Sequence, residues 1–397
     1  MANLKKSIDK GSVLSAPVKR ETYICNFMAT QTLDIVIPSY RLDEAYILPL
    51  LQLKKPRDWI VKYYIIVDNP LVGISKNIAD IIDSNNINLL VNTSNEGASA
   101  SRNKGLEAGV GEWVLFLDDD IRAGSDLLLN YVEAINKYPD EIGFIGFVSL
   151  PPPNTPFATA LKISGATMVF DIAEKRSRFT WGATANTLVK RSAIGDIRFS
   201  SAYPKFGGGE DVDFFLHIRD RCAKDFKTVL SAKVDHPWWD EGRPNFARTL
   251  RYGIGNSFLG QFNAGYAYYD FLNFIETIFL SVFFGGLLFI LNVQTFTAVV
   301  VCIGGIILSE LLALWVHLVK REGALPPYIF LHVFFLRIVY QTGLLYGNLA
   351  RGRFRGFGER FDDLGRIKKV GFHRFNTYKL VKWVAYAVLA FLLLALF

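Results

Sequence analysis

The sequence predicts an α/β domain built on a mostly parallel sheet, followed by a C-terminal set of membrane helices. Three observations predict this. In the first third of the 397 residues, short apolar runs of strand length alternate with helical stretches. After Phe271, four long runs rich in Phe, Leu and Val follow one another. The net charge of +7 gathers beside those runs, which suits a membrane surface better than a nucleic acid.

The strand readings come first. Leu33–Pro38, Tyr63–Asp68, Asn88–Val91 and Glu112–Leu117 are compact apolar runs, and Ser99–Ala108 and about Ser75–Ser84 read as the helices between them. Buried strands alternating with helices favour parallel pairing. Open sheets of this kind bind ligands beyond the carboxyl ends of their strands. Pro38, Asp68 and Asp118 all fall at such ends, so a pocket is expected on that edge. The apolar runs at 275–293, 296–318, 328–347 and 380–397 are each long enough for a hydrocarbon core about 30 Å thick. Residues 1–31 read as a tail without a signal peptide, 32–270 as the α/β domain and 271–397 as the membrane domain. Cys25, Cys222 and Cys302 are too scattered to form a disulfide framework or a zinc site.

Four constellations carry chemistry. Asp118-Asp119-Asp120 directly follows the fourth strand, and clustered carboxylates are costly unless a cation joins them. Oxygen ligands of this kind suit Mg²⁺ or Mn²⁺, although a solvated acidic turn reads equally well. Gly207–Asp213 combines three glycines with Glu210, Asp211 and Asp213. Asp211 there is either a general base or the cap of a helix. Asp235-His236-Pro237-Trp238-Trp239 places a histidine where it can join a carboxylate-bound metal or pack in the core. Arg248 and Arg251 share a helix face and can grip a diphosphate or touch anionic lipid.

Together these pieces resemble glycosyltransferase family 2 over roughly residues 32–260. Asn95–Gly105 followed by Gly111–Asp120 looks like that family's donor-binding half. Trp181–Asn186 resembles its middle segment, and Phe206–Phe214 its catalytic Glu-Asp segment. The resemblance implies a GT-A (Rossmann-like) nucleotide-sugar-binding domain and inverting chemistry. It puts Pro38 and Asp68 around the nucleotide base, Asp118 near the ribose, Asp120 on the metal and His236 at a position some members use as a metal ligand. Arg102 lies within the donor-binding stretch, Trp181 and Gly182 border the sugar, and Arg248 and Arg251 serve the diphosphate. Asp211 takes the acceptor proton, with Glu210 as its neighbour and alternate. Two departures stand out. Asp68-Asn69 replaces a common Asp-Asp or Asp-Gly pair, and Arg248-x-x-Arg251-Tyr252 stands where processive synthases carry Gln-x-x-Arg-Trp.

The expected activity is metal-dependent transfer of a sugar from a nucleotide-diphosphate sugar to a lipid-linked, glycan or other membrane-associated acceptor. The alternatives are a processive polysaccharide synthase and a non-catalytic membrane protein that kept the fold. Nucleic acid is not an expected partner. Because nucleotide sugars are cytosolic, the catalytic domain is expected to face the cytosol. Four full crossings would then put the basic run Arg351, Arg353, Arg355, Arg360, Arg366, Lys368, Lys369 and Arg374 outside, against the positive-inside rule. Pro326-Pro327 precedes the 328–347 run, and Arg337 and Gln341 interrupt it. That run is therefore expected to be re-entrant or interfacial, leaving three crossings.

Overall fold

A computed structural model describes residues 31–82, 86–205, 207–291, 295–362 and 376–396. The expected tail, Cys25, Phe206, Arg366, Lys368, Lys369 and Arg374 lie outside the described residues, as do the last turns assigned to the 75–84 and 275–293 runs. The strands are β1 (Gln31–Ser39), β2 (Trp59–Val67), β3 (Ile87–Val91), β4 (Trp113–Leu117), β5 (Arg122–Ala123), β6 (Gly143–Ser149), β7 (Arg178–Phe179), β8 (Asn186–Lys190), β9 (Phe226–Asp235), β10 (Ala267–Tyr269) and β11 (Glu359–Phe361). Helices α1 (Glu44–Leu51), α2 (Lys76–Ile82), α3 (Ala98–Ala108), α4 (Leu127–Lys137), α5 (Pro156–Ser164), α6 (Ile172–Lys175), α7 (Arg191–Ile194), α8 (Glu210–Cys222) and α9 (Phe246–Phe262) belong to the first 270 residues. Four more follow: α10 (Phe274–Leu291), α11 (Thr295–Glu322), α12 (Pro327–Leu349) and α13 (Thr377–Leu396).

The central strands are near-continuous apolar runs because both of their faces are covered. Ile35, Val36, Ile37, Ile65, Ile66 and Leu115 are all fully buried. The sheet order is β3-β2-β1-β4-β8-β6-β9-β5, with β7 also on β9. Pairing is parallel from β3 to β4, as expected. It then changes: β8 runs antiparallel to both β4 and β6, so the sheet is mixed. Strand β4 is paired with β8 up to its last residue, Leu117, and the Asp118–Asp120 turn follows directly. Local signals start the flanking helices. Asp43 caps α1 by accepting from Ala45 N, and Thr155 caps α5 by accepting from Ala158 N, with Pro156 in the first turn.

Among the described residues, four helices are long and apolar enough to cross a membrane. They do not pack alike. Glycine-to-side-chain contacts join α10 to α11, where Gly285 meets Val299, and α11 to α13, where Gly305 meets Leu389. Helix α12 instead rides on the first 270 residues along both of its halves. Near its start, His332 stacks edge-on against Phe157 of α5, with centroids 6.1 Å apart. Further along, Gly253 of α9 presses on the Tyr340 carbonyl, and Gly343 and Gly347 press on Leu250 O and Ser257 Oγ. Small residues spaced four apart let two helix backbones approach this closely. The interruptions of α12 have partners: Arg337 pairs with Glu310 of α11, and Gln341 Oε1 accepts from Ile275 N.

Candidate active site

Three of the elements named above converge on one edge of the sheet. The turn after β4 supplies Asp118–Asp120, the glycine loop before α8 supplies Glu210 and Asp211, and the end of β9 supplies His236. Asp118, Asp120 and His236 bring one ligand atom each within 4.8 Å of one another. His236 is 3% exposed, with Nε2 3.4 Å from Asp120 Oδ1. Its Nδ1 lies 2.6 Å from Pro237 O. Nδ1–H donating to that carbonyl leaves the Nε2 lone pair directed at the carboxylates, the orientation that metal-binding histidines take from their outer partners. The donor set of two carboxylates and an imidazole fits a divalent cation. Asp119 is held apart from this group, accepting from Ser39 Oγ at 2.6 Å, while Arg41 reaches both Asp119 and Asp120.

Glu210 and Asp211 open α8 but have different surroundings. Glu210 is 6% exposed; its Oε2 accepts from Gly208 N at 2.8 Å, and its Oε1 lies 3.6 Å from Arg102 Nη1. Arg102 also donates to Asp118 Oδ1 at 3.1 Å, so one guanidinium joins the two carboxylate motifs. Asp211 accepts only from its neighbour Val212 N among the hydrogen bonds of the described residues. Burial first, and the Glu210 charge second, push its carboxyl up to about 7. A carboxylate with that affinity and an uncommitted oxygen can take a proton near neutral pH. Asp213 faces the other way and accepts from Tyr203 and Asn263, tying α8 to the end of α9.

The glycine loop is set by a backbone contact. Gly207, Gly208 and Gly209 have φ of +90°, +139° and +103°, and a Cβ on Gly255 of α9 would stand 1.6 Å from Gly208 O. The loop that carries Glu210 and Asp211 therefore rests directly on the helix that carries Arg248 and Arg251. A cavity of about 650 Å³ is lined by Arg102, Asp118, Trp181, Glu210, Asp211, His236, Trp239, Arg248 and Tyr252. It continues between the apolar helices along Leu314, Leu318, Val333 and Leu336.

Other expected site residues fall as follows. Arg248 lies on the cavity with its guanidinium 4.8 Å from the Trp239 ring centre, while Arg251 is not among the lining residues. Among the described residues, the buried Nε atoms of Arg102, Arg248 and Arg251 lack hydrogen-bond partners, and of the three only Arg102 and Arg248 line the cavity. The Asp68 carboxylate accepts from Asn92 Nδ2, Glu96 N and Gly97 N, and so also shapes the loop before α3. Pro38 stands in β1 beside Ile66 of β2 and is not among the lining residues of the cavity. Gly182 lies on Thr187, where a Cβ would come within 2.4 Å of the hydroxyl. The two tryptophans divide: Trp238 is 4% exposed and donates to Pro151 O, whereas Trp239 forms cavity wall. Sequence reasoning missed Ser39 and Arg41, which lie some eighty residues from the aspartates they hold and carry no local signal. It also missed the Gly208–Gly255 contact, for which Gly253-Ile254-Gly255 was the visible trace.

Residues 34–195 match the model of glycosyl transferase family 2. That segment, which is similar to the family, runs from β1 through α7. Comparison with curated proteins gives no match. Among solved structures, the chain is similar to S. aureus TarS 1-349 in complex with UDP, at 13% identity over 59% of this chain and 71% of that one, with a TM-score of 0.38. It is also similar to GalNAc-T7 with UDP, GalNAc and Mn²⁺, at 13% identity over 59% of this chain and a TM-score of 0.41. It covers only 50% of the GalNAc-T7 chain.

Proposed function

We propose that this chain transfers a sugar, with inversion, from a nucleotide-diphosphate sugar to a hydroxyl of a lipid-linked acceptor at the cytosolic face of a membrane. One observation carries the reading. The cavity that holds Asp118, Asp211 and His236 is continuous with an apolar channel between α11 and α12. A soluble acceptor has no use for such a wall, whereas a lipid-linked one needs it.

Asp118, Asp120 and His236 would hold Mg²⁺ or Mn²⁺, which supplies charge neutralisation to a departing diphosphate. Arg248 and Arg102 add cationic hydrogen-bond donors near the same group. Asp211 accepts the proton of the attacking hydroxyl. The new bond joins that oxygen to the anomeric carbon on the face opposite the diphosphate. The old carbon–oxygen bond breaks, and its electron pair leaves with the nucleoside diphosphate. Glu210 is tied to Arg102 and the loop backbone, so it positions Asp211 rather than replacing it. Trp239 and Tyr252 offer aromatic faces to a sugar ring.

The packing of α12 supports the three-crossing topology. Both of its halves lie on the catalytic domain, so α10, α11 and α13 are the crossings and α12 follows the interface. Lys320 and Arg321 then fall on the cytosolic side with the catalytic domain, as the positive-inside rule prefers. Full-length protein in detergent, supplied with uridine-, guanosine- and thymidine-diphosphate sugars, tests the reading. Nucleotide release should rise at least tenfold when a membrane lipid extract is added. Equal release with a lipid-free oligosaccharide pool would refute the lipid-linked acceptor.

A further inference from the structure

The channel between α11 and α12 ends at a cluster of charge. His317 and Arg337 line its far end and also form the shared wall with a second cavity of about 320 Å³. Arg337 Nε donates to Glu310 Oε1 at 2.9 Å, and its guanidinium lies 4.2 Å from the centre of the Tyr378 ring. Glu310 is fully buried and serves a second cation, with Lys382 Nζ 3.1 Å from its other oxygen. Tyr378 Oη donates to that same oxygen at 2.6 Å. Two cations thus share one carboxylate. Nearby pairs close on themselves, Lys379 with Asp270 and Arg360 with Glu276. One positive charge is therefore left unbalanced within this cluster of described residues. The Arg337 side chain, 34% exposed, presents its charge to both cavities, and charge among membrane helices usually marks a ligand or ion path.

The level of the cluster is informative. Tyr378 stands in the first turn of α13 and Lys382 one turn later. From Lys382 the helix runs on through a further thirteen residues to Ala395, about 20 Å at 1.5 Å per residue. The cluster therefore lies on the first two turns of α13, near the end where Lys320 of α11 donates to Thr377 Oγ1.

We propose that Arg337, with His317 beside it, binds the phosphate of the acceptor lipid. This rests on the proposed transfer reaction and narrows its substrate class. A phosphate ester is already anionic near neutral pH, its second proton leaving near pH 6. Such an oxygen needs no general base, whereas an alcohol does. Since Asp211 stands in the same cavity as Arg337, the reacting group is an alcohol carried on a lipid phosphate or diphosphate. Its phosphate lies at Arg337, its hydroxyl at Asp211, and its chain leaves between α11 and α12.

The test uses binding rather than turnover. Purified full-length chain in a phosphate-free neutral detergent is titrated with dodecyl phosphate, dodecanol and inorganic phosphate, and apparent affinity is read from thermal shift. Wild-type protein should bind dodecyl phosphate at least about tenfold more tightly than either other probe, the worth of one charge-assisted hydrogen bond. Arg337→Gln should lose that preference, and Arg337→Lys should keep part of it. The Gln variant leaves Glu310 and Lys382 as a neutral pair, so the fold has no orphaned carboxylate. Equal binding of dodecanol by the wild type would overturn the phosphate site. Equal binding of inorganic phosphate would overturn its assignment to a lipid. Retained preference in Arg337→Gln would place the phosphate elsewhere. The wild-type comparisons decide even if that variant does not fold. Asp211→Asn should bind dodecyl phosphate as the wild type does, so failure of the transfer reading would show as absent nucleotide release with this binding intact.

Discussion

Replacing Gly255 with Ala tests how the catalytic loop is held. The added Cβ would stand 1.6 Å from Gly208 O, whereas real Cβ contacts keep 3.0 Å or more, so one backbone must retreat by about 1.4 Å. Helix α9 is the stiffer partner, because Gly253 and Gly343 lock it against α12 at backbone contact. The loop of three positive-φ glycines is softer and will move, taking Glu210 and Asp211 with it. Two stability terms partly offset each other. Alanine gains about 1 kcal/mol over glycine in a helix interior. Overpacking costs about 1–3 kcal/mol. The melting temperature should therefore change by only a few degrees. Catalysis should change far more, since a displacement of about 1 Å of a reacting group can cost about a hundredfold. The assay is nucleotide release at saturating donor, paired with a thermal melt, with Gly286→Ala as control because nothing lies within 4 Å of its added Cβ. Wild-type turnover in Gly255→Ala would refute the claim that α9 sets the position of Asp211.

Chelation with excess EDTA should abolish transfer, added Mn²⁺ or Mg²⁺ should restore it, and His236→Ala should raise the metal concentration needed; full activity in EDTA would remove the cation from the account. Arg248→Ala should weaken donor binding at least about tenfold, one charge-assisted contact, and more than Arg251→Ala, because Arg248 is the one that lines the cavity; calorimetry with the nucleoside diphosphate decides. Asp211 must be ionised to accept a proton, and its carboxyl lies at about 7, so kcat/KM should fall about tenfold per pH unit below that value and level off above it. Arg102 lowers the Asp211 value by its charge, so Arg102→Met should move the profile to higher pH. Cysteines introduced at Ser125 and Tyr346 should both resist an impermeant reagent applied to intact cells, whereas one at Leu394 should react. Tyr346 is 60% exposed and serves better than Asn348, which is buried at 2%. Labelling at 346 from outside would restore four full crossings.

Much of this was legible in the sequence, and the reasons are physical. Parallel strands covered on both faces read as unbroken apolar runs, so every edge of β1 to β4 was visible within two residues except the start of β2, which begins four residues earlier than read. The mixed half of the sheet, from β5 to β9, was not read. Strand β9 mixes buried and exposed positions, and its pairing with β6 shifts register after Gly146. The Asp triplet, the glycine-flanked Glu-Asp pair and His236 were visible as motifs, and the fold draws them together. The division of labour between Glu210 and Asp211 was not visible, because it depends on Arg102, more than a hundred residues away. Hydropathy alone made α12 a fourth membrane span. Arg337 and Gln341 marked it as different, and the structure gives each a protein partner.

Asp211→Asn tests the central claim most directly, because it keeps the shape of the side chain and removes its basicity. Measured as sugar transfer to the lipid-linked acceptor at pH 7, with donor affinity followed separately, the variant should lose at least about a hundredfold in rate. Donor binding and melting temperature should stay near those of the wild type. Near-normal transfer by Asp211→Asn, or transfer lost only in Glu210→Gln, would contradict the assignment of the base and the mechanism built on it.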